Sequence, residues 1–157
     1  MKLSLRRYVI TNRAKLPLLI AAALVLVFIW SQSFMPTEDS ASESGWITDH
    51  IINPILSVVG LSVTNNFVRK CAHVTEYTVV SILISLIWDC HPVRSFYSGF
   101  TVSFMDETIQ VISGRGPMIT DMWIDLIGVV LGYAAAVLIR LYHKKKPVKN
   151  KWITKTP

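Results

Sequence analysis

Cysteine is scarce in this chain, Cys71 and Cys90 being the two present in 157 residues. Along one helix their nineteen-residue separation is about 28 Å, far beyond disulfide reach, so both read as unpaired structural thiols without redox meaning. No stretch carries a recognised metal-ligand spacing such as HExxH, and no Ser or Cys stands beside an evident activating base. The usual signatures of zinc hydrolysis and of nucleophilic catalysis are therefore missing. There is no internal repeat and no separate soluble domain, which leaves residues 1–157 as a single unit.

Apolar side chains are what the sequence has in excess. Hydrophobic residues make up 52% of the chain, more than one soluble core of this length needs, and the mean hydropathy is positive. A helix needs roughly 20 mostly apolar residues to cross a bilayer. Four stretches approach that requirement, at about 17–35, 68–88, 95–112 and 122–142. The first contains "LPLLIAAALVLVFIW" without an ionisable residue, and the other three carry charges. A secretory signal is the rival reading of the first stretch. Its apolar run exceeds a usual signal core, and "SQSFMPTEDS" offers no clean small-x-small cleavage site directly after it.

The net charge of +6 lies in the two tails. Lys2, Arg6, Arg7, Arg13 and Lys15 precede the first span, and Arg140, Lys144, Lys145, Lys146, Lys149, Lys151 and Lys155 close the chain. Positive flanks stay cytoplasmic, so both termini are expected inside, and basic tails of this kind bind anionic lipid rather than nucleic acid. The expected fold is thus an all-α membrane protein with four transmembrane helices and an outer segment, residues 36–67, between the first two. In that segment "TEDSASESG" reads as acidic, Ser-rich and mobile. "WITDHIINPILSVVGLSV" reads as an interfacial helix kinked near Pro54.

With this orientation the intramembrane charges fall at one depth. Arg69, Lys70, His73, Glu76 and Tyr77 occupy the outer end of the second span; Asp106, Glu107 and Gln110 occupy that of the third; Asp121 and Asp125 begin the fourth. Residues three or four apart share a helix face, so Arg69, His73 and Glu76 form one row. Ser103, Asp106 or Glu107 and Gln110 form a second, and Asp121, Asp125, Gly128 and Gly132 a third. The Gly128–Gly132 pair is a GxxxG pattern that serves internal helix packing or a homodimer. Ionisable groups inside spans face the bundle interior and mark function by default. Adjacent residues stand about 100° apart on a helix, so of the two carboxylates we expect Glu107 to face the pocket and Asp106 to pair at its edge.

"SQSFMP" after the first span, "RKCAHVTEY" at the second, "DETIQ" with "GRGPMITD" at the third and "DLIGVVLG" at the fourth together resemble the VanZ-like family of bacterial membrane proteins. The resemblance implies a small multi-pass protein of the bacterial plasma membrane. Its named member is associated with low-level resistance to the glycopeptide teicoplanin, without a settled reaction. The family motif falls on Arg69, Lys70, His73, Glu76, Tyr77, Asp106, Glu107, Gln110, Arg115, Asp121, Asp125 and Gly128. At the position of Glu76 the family often has an aromatic or small residue.

Two chemistries follow for the cluster. As a binding pocket it would hold the head group of a membrane lipid or a lipid-linked cell-wall precursor, with Arg69, Lys70, Glu76, Tyr77, Gln110, Arg115, Asp121 and Asp125 as contacts. As an enzyme it would use His73, Glu107 and Asp106 for proton transfer or for ligating a divalent cation. No cofactor and no particular metal can be named from these spacings. An ion pathway is opposed by the apolar run Val79, Val80, Ile82, Leu83 and Ile84 below the cluster.

Overall fold

The computed structural model describes residues 12–114 and 119–145, and every regular element among them is helical. They are α1 (Asn12–Ser33), α2 (Thr37–Ile47), a π-helical turn (Thr48–Ile52), α3 (Asn53–Ser57), α4 (Asn65–Ile87), α5 (Pro92–Ile112) and α6 (Ile119–Lys145). The four expected spans correspond to α1, α4, α5 and α6 within a few residues at each end. By length and composition three of them are apolar enough to cross a membrane, over Lys15–Ser33, Asn65–Ile87 and Thr120–His143. Although α5 has 21 residues, Arg94, Asp106 and Glu107 interrupt its apolar character, and it falls outside that set.

Local signals set the helix ends. Thr64 caps α4 by accepting from the Phe67 N–H, and His91 does the same for α5 at Arg94, with Pro92 in the first turn where no N–H is needed. Gly114, at φ +79°, closes α5 in the left-handed conformation that a side chain would resist. Between α4 and α5 the chain reverses through Asp89 and Cys90, both at positive φ. Both cysteines are free, Cys71 exposed and Cys90 half-buried.

At the centre is α4, in contact with α1, α5 and α6. The buried core is Ile29 of α1, Tyr77, Val80 and Ile84 of α4, Val102 of α5 and Val129 of α6. Its closest approach is between α4 and α6. A Cβ on Gly128 would stand 2.7 Å from both the Tyr77 Cβ and the Val74 carbonyl oxygen, and one on Gly132 would collide with the Thr78 carbonyl oxygen. Ser81 Oγ donates to the Val129 carbonyl at 2.7 Å across the same seam. The glycine face is thus packed against α4 of the same chain, which is the internal-packing alternative. Large apolar side chains such as Leu24, Val27, Trp123, Val130 and Leu138 remain more than half exposed, as on helices that meet hydrocarbon.

The helices alternate in direction. Lys15 Nζ donates to Asp89 Oδ2 at 2.9 Å, joining the start of α1 to the α4–α5 turn. The opposite end, where α1 and α5 finish and α4 and α6 begin, is covered by α2, which the Asn65 side chain ties down by donating to the Ala41 carbonyl at 3.0 Å. Two expectations for the intervening segment change here. The acidic, Ser-rich stretch is helical as α2, its first turn carrying Glu38 and Asp39 where a helix dipole favours anions. The disturbance expected at Pro54 is taken up just upstream by the π-helical turn. A proline lacks an N–H and crowds the preceding turn, so widening that turn accommodates it without breaking the helix.

Candidate functional site

At the end covered by α2, polar residues from all four long helices converge. Asp106 of α5 is fully buried. Ser33, the last residue of α1, donates its hydroxyl to Asp106 Oδ1, and Gln110, one turn along α5, donates to Oδ2 at 2.9 Å. Asp125 of α6 is also fully buried; Ser103 donates to its Oδ2 at 3.1 Å, and its Oδ1 lies 3.3 Å from His73 Nδ1 of α4. That last contact is close but poorly aligned: neither His73 Nδ1 nor Asp125 Oδ1 has a hydrogen-bond partner among the described residues. Beneath them Tyr77 is fully buried, its ring side chain beside Asp106 and Asp125.

The helical repeat explains the convergence. Ser103, Asp106 and Gln110 follow at three and four residues and form the buried face of α5 together with Gly99 and Val102. Glu107 is rotated to the margin, half-buried, with Oε1 lacking a hydrogen-bond partner. The expected division between the adjacent carboxylates is therefore reversed. Asp106 is the central group and Glu107 the marginal one, because α1 packs against α5 and brings Ser33 to the Asp106 side.

A cavity of about 290 Å³ adjoins the cluster between α1, α2 and α4. Phe28, Ile29 and Gln32 line it from α1, Ser40, Glu43 and Ser44 from α2, and Arg69, His73 and Glu76 from α4. His73 belongs to both, touching the buried carboxylate on one side and the cavity on the other. Arg69 and Glu76 are cavity-wall residues at half burial, whereas Lys70 is exposed and lines neither feature. Asp121 sits half-buried in the first turn of α6. Arg115 lies outside the described residues.

Residues that pattern reading missed come from segments that it did not assign to the site. Ser33 was hidden at the end of the apolar run, although the "SQS" triplet there is the one polar interruption before Pro36. Ser40, Glu43 and Ser44 lie in the stretch expected to be mobile; their spacing of three and four is the helical signal that could have found them.

The VanZ/LLP1 family model matches residues 18–140 of the chain. No curated protein and no solved structure matches it.

Proposed function

Because the chain belongs to the VanZ/LLP1 family and is built on apolar membrane helices, we propose that it binds the head group of a membrane lipid or lipid-linked cell-wall precursor. The site is the cavity between α1, α2 and α4. The proposal includes α5 as a fourth span, both termini in the cytoplasm and the α2 end at the outer leaflet of a bacterial plasma membrane, following the basic residues before α1 and after α6. In this setting the protein contributes to glycopeptide resistance of the teicoplanin type by altering access of drug or precursor at that leaflet.

One observation carries this reading: a single cavity has an apolar wall from Phe28 and Ile29 and a polar wall from Arg69, His73 and Glu76. A lipid presents the same pair of surfaces. Arg69 suits a phosphate, and His73 and Glu76 suit sugar or amine groups. The test is teicoplanin susceptibility in a host lacking the protein, comparing wild type with Arg69→Gln and His73→Ala at matched membrane expression. Wild type raises the inhibitory threshold and both variants lose the gain. A threshold unchanged by the wild-type protein removes the resistance role; variants as protective as wild type remove the cavity from it.

A second reading is favoured by the pairing of His73 with Asp125. An imidazole that lies 3.3 Å from a buried carboxylate and lines a cavity has the two neighbours a general acid–base group needs. Enzymatic turnover would appear as a changed lipid product in membranes containing wild type and not His73→Ala. Binding alone leaves the lipid chemically intact.

A further inference from the structure

We infer that His73, Asp106 and Asp125 form a binding site for a first-row divalent cation such as Zn²⁺ or Mn²⁺. One ligand atom from each lies within 4.8 Å of the others, although the three residues come from three different helices. Zinc at about 2.1 Å from tetrahedral ligands holds them about 3.4 Å apart, close to the 3.3 Å between His73 Nδ1 and Asp125 Oδ1.

That pair is the second observation. Asp125 is fully buried, yet Oδ1 takes no aligned hydrogen bond from the imidazole it faces, while Oδ2 is already held by Ser103. A ring nitrogen and a buried carboxylate oxygen this close, with no hydrogen bond between them, both have a lone pair that an ion could take. Asp106 differs in that both its oxygens already accept, from Ser33 and Gln110, but a carboxylate has about four acceptor positions and so keeps capacity for an ion. Ser33, Gln110 and Ser103 orient the two carboxylates, the supporting role that outer hydrogen bonds play around metal ions.

Electrostatics point the same way. Among the described residues no Lys or Arg lies within ion-pair distance of Asp106, Asp125 or Glu107. Two fully buried carboxylates served by neutral donors and one imidazole are costly inside a membrane helix bundle, and a dication offsets that cost. The donor set selects the class of ion. An imidazole nitrogen with two carboxylates suits zinc, manganese or ferrous iron, whereas Ca²⁺ asks for six to eight oxygens. The site stands on the buried cluster alone and does not depend on lipid binding in the cavity.

The test uses the full chain, tag removed, in detergent or nanodiscs, stripped with chelator and titrated with Zn²⁺ or Mn²⁺ alone. One equivalent binds, raises the melting temperature and is not displaced by Ca²⁺. Asp125→Asn and His73→Gln abolish that binding, Ser103→Ala weakens it by about 10–100-fold, and His50→Ala, on an exposed histidine, leaves it unchanged. His73 is at the edge of the cluster with its side chain 25% exposed, so His73→Gln keeps the test open even if Asp125→Asn misfolds. Absence of metal binding, equal binding by wild type and the His73 and Asp125 variants, or displacement by Ca²⁺ overturns the assignment.

Discussion

Where α4 turns into α5, Lys15 meets Asp89 at 2.9 Å with side chains 22% and 24% exposed, and Arg94 lies 5.3 Å above the Trp88 ring. At the other end of the same helices, Asp106 and Asp125 are fully buried and receive hydrogen bonds from serine and glutamine side chains. The first arrangement keeps charges near water and opposite in sign, so it costs little and contributes little. The second removes carboxylates from water without a cationic side chain among the described residues, which apolar residues of similar size would do more cheaply. Stability explains the first end. The second fits the divalent-cation site proposed above.

Substitutions can break or sharpen this contrast. The largest expected effect lies between the two ends, at the α4–α6 seam: Gly132→Leu forces the helices apart at Thr78 and Ser81 and destabilises by about 3 kcal/mol or more, read as reduced folded yield and an earlier thermal melt. Ser33→Ala follows, removing a hydrogen bond to a buried carboxylate at a cost of about 1.5–3 kcal/mol. Ser81→Ala, which loses one hydrogen bond to the Val129 carbonyl, costs about 1 kcal/mol in the same melt. Lys15→Gln at the opposite end costs at most about 1 kcal/mol, and that difference shrinks further in high salt.

The sharpest comparison is one of sign. Asp125→Asn retains an acceptor for Ser103 but removes a buried charge, so without added metal the variant melts no earlier than wild type while losing function. A large loss of stability in metal-free Asp125→Asn would make the buried end structural, like the other.

Helix existence and the level of the polar cluster were legible because both depend on local periodicity. His73 and Glu76, Asp106 and Gln110, and Asp121 and Asp125 stand three or four residues apart, so each pair is bound to share a face once its segment is helical. The rotation of α5 was not legible. "DE" at 106–107 gives two carboxylates about 100° apart, and which one turns inward depends on where α1 and α6 pack. For the same reason Ser33 and α2 escaped notice: neither shows its importance until the end of α1, the start of α4 and the α2 cover meet.

By itself the sequence determined that this is a helical membrane protein with His73, Glu76, Asp106, Glu107, Asp121 and Asp125 gathered at one end, since span length and 3.6-residue periodicity are properties of contiguous stretches. Tertiary structure alone decided that Gly128 and Gly132 serve the α4–α6 contact, that Asp106 is central and Glu107 marginal, and that His73 stands between a cavity and a buried carboxylate pair. Each of these depends on how helices distant in the chain are rotated and spaced against one another, and that is settled by side-chain packing across the seams.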